Sequence, residues 1–148
     1  HVNTAQVIAQ QLAALGIRVS IKLVDWPTWI SEVYTARRYQ ATVISIDGVT
    51  LSPRSYLFRY ETGEARNFIN YSNPRFDDFY RRSLVAADEE ARTALYKDMQ
   101  RVLSDDAASV FICDISSAKA FRKGIKGFQQ YPLYVFDAST LYMEEKTP

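Results

Sequence analysis

The first quarter of the chain switches from helical spacing of apolar residues to strict alternation. "NTAQVIAQQLAALG" (3–16) brings Val7, Ile8, Leu12 and Leu15 near one helix face, and Gly16 is well placed to end that helix. "IRVSIKLVD" (17–25) then alternates apolar and polar side chains, which predicts a strand with one solvated face.

The next two segments repeat this helix and strand order. "PTWISEVYTARRY" (27–39) begins with a proline suited to a first helical turn and carries an apolar stripe, and "ATVISI" (41–46) is typical of a buried strand. Two strands joined by a helix form a βαβ unit with a right-handed crossover and a parallel strand pair. The sequence therefore predicts an α/β fold in which a βαβ core with a mixed sheet is flanked by helices.

Three polar or aromatic residues follow the ends of these two strands. Asp25 and Trp26 come after the first strand, and Asp47 comes after the second. Ligands of open α/β sheets bind beyond the carboxyl ends of the strands, so this end is the candidate site. Two simpler roles stay open: Asp25 could cap the following helix, and Asp47 could satisfy its own turn at Gly48.

The second half of the chain predicts a helical pair followed by short strands. "SNPRFDDFYRRSLVAAD" (72–88) has Asn73 as cap and Pro74 in its first turn, and "DEEARTALYKDMQRVLSDDA" (88–107) restarts at Asp88. "SVFICDI" (109–115) and "AKAFR" (118–122) are predicted strands, and "LYVF" (133–136) and "TLYMEE" (140–145) could add one or two more. Cys113 lies within such a strand, which favours a buried, inert thiol.

Composition and residue usage exclude several classes of function. The 148 residues suit one domain, and a net charge of +1 favours neither nucleic acid nor an anionic membrane. We expect no membrane span and no leader peptide, since no long apolar run exists. His1 is the only histidine and Cys113 the only cysteine, so a nucleophilic triad, a metal site or a cofactor is not expected. An acid-base hydrolase that uses Asp25 and Asp47 stays open, because two carboxylates about 5 to 9.5 Å apart would suffice.

Four blocks of the sequence resemble a known family in their order and spacing. They are "QQLAALGIRVSIKLVDWPTW" (10–29), "SPRSYL" (52–57), the long block from "NYSNPRFDDF" to "DDAASVFI" (70–112) and "KGIKGF" (123–128). Together they resemble the second lobe of the extracellular solute-binding proteins of ABC importers, in the family that contains the dipeptide- and oligopeptide-binding receptors. These receptors are much longer and close two lobes over a ligand.

The resemblance implies a division of the chain and a set of partners. Residues 1–133 would form the second ligand-binding lobe of a periplasmic-binding-protein-like fold, and 134–148 would return toward the first lobe. The implied function is non-catalytic capture of a peptide or a related small solute in the periplasm or at the cell surface, with delivery to the importer's permease. An excised lobe could also associate with a second copy, and a purely structural interaction module remains the other alternative.

The same resemblance implies the ligand-binding residues. Trp26 would offer a flat apolar wall, and Asp47, Gly48 and Val49 would form the cleft loop. In the peptide receptors, the residue four positions before the loop proline is a carboxylate that pairs with the peptide ammonium group, and here that position holds Val49. Losing that charge-assisted hydrogen bond forfeits about 1.5 to 3 kcal/mol, enough to alter the class of ligand unless Asp47 reaches the same space.

Overall fold

The computed structural model describes residues 1–48, 50–114, 118–131 and 136–144 and is rich in helix. The helices are α1 (Val2–Ala13), α2 (Trp26–Thr28) with its π-helical continuation Trp29–Thr35, α3 (Arg54–Leu57) with a 3₁₀ turn Phe58–Tyr60, α4 (Pro74–Val85) and α5 (Glu89–Asp105). Two short strands, β1 (Ile125–Lys126) and β2 (Tyr142–Met143), pair antiparallel with Ile125 opposite Met143.

Local capping chemistry accounts for where α4 and α5 begin. Asn73 accepts a hydrogen bond from the Arg75 amide at 2.8 Å, and Asp88 accepts one from the Ala91 amide at 2.6 Å. Each cap satisfies a backbone donor that the first helical turn would otherwise leave unpaired. The helices predicted from these caps are confirmed.

The main hydrophobic core lies between α4, α5 and the α3 segment. Phe76 of α4 and Met99 of α5 are completely buried, and Tyr60 and Leu103 are 1% exposed. Asp106 fastens the end of α5 to the start of α4, because it accepts hydrogen bonds from the Tyr71 hydroxyl at 2.5 Å and the Asn73 amide at 2.6 Å. The cluster comprises Leu57, Tyr60, Phe76, Tyr80, Tyr96, Met99, Val102 and Leu103.

A smaller core surrounds the π-helical segment. Trp29, Val33 and Phe68 are buried there, and Ile44 and Ile46 pack against them. The helix predicted over 27–39 is present from Trp26 to Thr35, and from Trp29 onward it is wound with π-helical hydrogen bonds. Such segments are rare and often occur at functional sites.

The parallel strand pair of the predicted βαβ core is absent from the described residues. Segments 17–25 and 41–48 carry no strand assignment, and the one sheet in the described ranges is the β1–β2 pair. The apolar positions of the first predicted strand are exposed by 43 to 78%, and α1 buries no residue. The physical reason is that a strand exists only through a partner's hydrogen bonds, which alternation of side chains alone cannot supply.

The third predicted strand fails in the same way. Residues 109–114 carry no strand assignment, and Val110, Phe111 and Ile112 are at least half exposed. Cys113 is exposed, so the prediction of a buried thiol is wrong. Without a paired neighbour among the described residues, much of the apolar surface of this segment stays exposed.

The strand predictions after residue 132 can be compared with the structure only in part. The prediction over 133–136 lies largely outside the described residues, and within 140–145 the strand is limited to Tyr142–Met143. These two residues pair with β1 of the same chain. Gly127, directly after β1, has a φ of 80°, a backbone conformation that glycine adopts readily.

Candidate functional site

Trp26 is an exposed indole supported from beneath by a second indole. The two rings lie 5.1 Å apart with an interplanar angle of 6°, and Trp26 is 61% exposed whereas Trp29 is buried. Trp29 is fixed in turn, because its indole nitrogen donates to the Thr42 hydroxyl at 3.0 Å and its ring meets the Phe68 edge at 5.5 Å. The outer face of Trp26 is therefore a flat apolar surface on a rigid base.

We call this stack the aromatic column, consisting of Trp26, Trp29, Tyr34 and Phe68. Tyr34 packs on Phe68 at 5.3 Å, and the Tyr39 hydroxyl donates to the Phe68 carbonyl at 2.6 Å. The stretch 60–70 is mostly polar, so its sequence does not indicate that Phe68 forms the base of the column. Its apolar pair with Ile69 amid polar neighbours was the available signal.

Asp25 caps α2 immediately before the aromatic column. Its carboxylate accepts a hydrogen bond from the Thr28 amide at 3.0 Å, and hydrogen bonds from Thr28 lower the pKa of Asp25. A general acid needs the opposite shift, toward a carboxyl that stays protonated near neutral pH. The capping role considered for Asp25 is thus the one observed, and this weighs against the acid-base hydrolase.

The loop after 41–46 begins next to the core beneath Trp26, because Ile46 belongs to that core. Ile46 packs against the Trp29 cluster, and the next residue, Asp47, is exposed. Gly48 lies so close to the following turn that an added Cβ would stand 2.8 Å from the Ser55 hydroxyl. Trp26, Asp47 and Gly48 are thus carried by segments that share one core, while Val49 lies outside the described residues.

Two other kinds of site are not found where the structure is described. No cluster of three metal-ligating side chains occurs in residues 1–48, 50–114, 118–131 and 136–144. Across those same ranges, no helix combines the length and apolarity needed to cross a bilayer.

Comparison with known proteins finds relatives that are named for peptide binding. The chain is 27% identical to Di/tripeptide-binding protein 2 of Pseudomonas aeruginosa over 148 residues, which is 96% of this chain and 27% of that protein. It is 22% identical to the dipeptide-binding protein DppE of Bacillus subtilis, across 93% of the chain and 25% of the relative. It is also 27% identical to the periplasmic oligopeptide-binding protein OppA of Escherichia coli, across 82% of the chain and 23% of the relative.

These relatives confirm the resemblance to the dipeptide- and oligopeptide-binding proteins. The similarity extends over most of this chain, and the chain spans about a quarter of the length of the relatives it matches. No family model matches the sequence. The relatives are named as binding proteins and not as enzymes.

Proposed function

We propose that the chain supplies one wall of the peptide-binding cleft of an extracytoplasmic receptor that serves an ABC importer. Residues 1–133 would be the second lobe, and 134–148 would lead back toward the first. The observation that carries the proposal is the aromatic column, whose exposed Trp26 face lies on a chain similar almost throughout to peptide-binding proteins. The role is non-catalytic, and the receptor would deliver its ligand to the importer's permease.

Within this wall, Trp26 would cover an apolar part of the peptide and the loop 47–49 would meet its polar end. Asp47 would pair with the peptide ammonium group, since Val49 stands where the peptide receptors have a carboxylate. Because the other wall belongs to a second lobe, the chain alone should bind only weakly. One wall leaves the ligand about half solvated and does not exclude water by closure.

The test is an NMR titration of the ¹⁵N-labelled chain with trialanine, up to about 20 mM so that a millimolar Kd, equivalent to about −4 kcal/mol, is measurable. We expect shifts at the Trp26 indole and at the Asp47 and Gly48 amides, with no new peptide fragments in the spectrum. Trp26→Ala should raise the Kd of trialanine about tenfold. Tyr142→Ala, which removes an aromatic side chain of the same 61% exposure elsewhere, should not.

Three results would contradict the proposal. Shifts that avoid Trp26 and the 47–48 loop would place the peptide elsewhere, and no shift at about 20 mM would mean that this wall has no affinity. Release of alanine would support the hydrolase instead.

A further inference from the structure

Trp29, the inner ring of the aromatic column, is held from the side by a polar contact. Its indole nitrogen donates to the hydroxyl of Thr42 at 3.0 Å, across 13 positions of the chain. An indole has one N–H donor, so this bond uses the whole hydrogen-bonding capacity of the ring. Because Trp29 is buried, removal of the Thr42 hydroxyl would leave that donor without its acceptor in a place that water reaches poorly.

The aromatic neighbours of Trp29 restrain its ring less specifically. Trp26 lies parallel to it, Phe68 meets it edge-on at 76°, and Tyr34 is tilted by 42°. Aromatic pairs are favourable at centroid distances from about 4.5 to 7 Å and in several orientations. A hydrogen bond from a ring N–H requires an acceptor at about 2.7 to 3.2 Å and a nearly straight geometry. The bond to Thr42 is therefore the contact that fixes how the Trp29 ring is rotated in its own plane.

Trp26 takes its orientation from Trp29. The two rings are parallel within 6°, with their centroids 5.1 Å apart. Since Trp26 is 61% exposed, most of its surface meets no neighbour that could hold the indole in place. A rotation of the inner ring would therefore move the face that is offered to the ligand.

Thr42 also lies on the segment that leads to the candidate cleft loop. Residues 41–46 carry no strand assignment, so a ladder of backbone hydrogen bonds does not hold this segment in the described structure. Asp47 and Gly48 follow it directly. The bond from Trp29 to Thr42 thus ties the indole platform to the segment that carries the loop.

We propose that Thr42 is a positioning residue for the ligand, which acts through Trp29 to hold the Trp26 face in a defined orientation relative to loop residues 47–48. The inference rests on the proposed peptide-binding function and goes beyond it, because it assigns a role in affinity to a side chain that acts only through another. A residue that served packing alone would lose stability without loss of affinity when its hydroxyl is removed.

Thr42→Val is the first test, because valine has the shape of threonine without the hydroxyl. We expect the Kd of trialanine in the NMR titration to rise about threefold, since one neutral hydrogen bond corresponds to about a threefold to tenfold change. Thr42→Ala, which also lacks the acceptor, should raise the Kd similarly. Thr42→Ser keeps the hydroxyl and should recover most of the affinity. Thr93→Val, at an exposed position of α5, is the matched control and should leave the Kd unchanged.

The indole signals report on the bond directly. The chain has two tryptophans, so its ¹H–¹⁵N spectrum contains two indole signals, and the one that remains in Trp26→Ala belongs to Trp29. In Thr42→Val we expect the Trp29 signal to shift and its proton to exchange faster with water, and the Trp26 signal to shift as the outer ring reorients. Thr93→Val should leave both signals in place. A dispersed amide spectrum verifies that each variant is folded.

A double-mutant cycle separates positioning from stability. In a Trp26→Ala chain, the further change Thr42→Val should leave the Kd of trialanine as it is, because no indole face remains to be positioned. The free energy of unfolding, measured by urea denaturation, should fall in both backgrounds, because Trp29 loses its acceptor in each.

The outcomes distinguish this role from the function on which it rests. An unchanged Kd in Thr42→Val and Thr42→Ala, with the Trp26 signal still responding to trialanine, would overturn the positioning role and leave the peptide-binding proposal standing. An equal loss of affinity with and without Trp26 would also overturn it, because Thr42 would then act elsewhere. No response of the parent chain to trialanine would overturn both.

Discussion

Replacing the two stacked tryptophans one at a time separates binding from stability. Trp26 is 61% exposed and contributes one stacked face, so Trp26→Ala should lower the free energy of unfolding by about 1 kcal/mol. Trp29 is buried between Trp26 and Phe68 and also donates to Thr42, so Trp29→Ala should cost about 3 to 5 kcal/mol. Urea denaturation of each variant, followed by far-UV circular dichroism, measures both losses.

Peptide affinity should depend more on Trp26 than on Trp29, when variants that fold are compared. An indole with this exposure leaves roughly 100 to 150 Å² open, and a ligand that covers half of it removes about 60 Å² of apolar surface from water. At about 25 cal/mol per Å², the contact is worth about 1.5 kcal/mol, or about a tenfold change in Kd. Trp26→Ala should therefore impair binding in a chain that is almost as stable as the parent.

Two results would refute this reasoning. If Trp26→Ala lowered the free energy of unfolding by several kcal/mol, the indole would be needed mainly for the fold and not for the ligand. Unchanged trialanine shifts in the stable Trp26→Ala variant would mean that the column does not meet the ligand. Trp26→Phe is the matched control, since it retains a smaller aromatic face and should retain part of the affinity.

Three further predictions concern charge, pH and exposed apolar surface. Asp47→Asn should weaken binding of a peptide with a free ammonium group about tenfold or more by calorimetry or NMR titration, and should not affect an N-acetylated peptide. Hydrogen bonds from Tyr71 and Asn73 lower the pKa of Asp106. Their stabilising effect is therefore present above the ordinary aspartate pKa of about 4 and is lost as the pH falls further. In urea denaturation, the free energy of unfolding of Asp106→Asn should depend less on pH in this acid range. The chain should self-associate as its concentration rises, and light scattering of a Leu23→Ser variant, which alters a side chain that is 78% exposed, should show weaker association.

The sequence predicted the structure best where the determining contacts are local. Asn73 and Asp88 cap their helices through bonds to residues two or three positions away, so a short stretch contains all the necessary information. Asp25 follows the same logic, and its capping role could be foreseen from its position before Pro27. The exposed Trp26 also follows from local order, because Trp29, one turn later, takes the buried place beneath it.

Contacts within irregular segments were harder to foresee. Asn67 is 3% exposed because its amide bonds to the Glu61 and Tyr71 carbonyls, which makes a polar residue part of the interior.

The predicted sheet fails for a reason that bears on function. The alternation over 17–25 determines which side chains would share a face, but a parallel strand is stable only when neighbours pair with its edges and elements cover its faces. The exposed apolar positions of 17–23 and 110–112 show two segments with that potential and no cover in the described structure. By contrast, the aromatic column is complete within the chain, because Trp29, Thr42 and Phe68 already fix its base. The candidate ligand wall is thus preorganised, whereas the sheet expected beneath it is not formed in the described residues. We therefore expect the isolated chain to retain a weak, localised response to peptide and to lack the tight binding of a closed receptor.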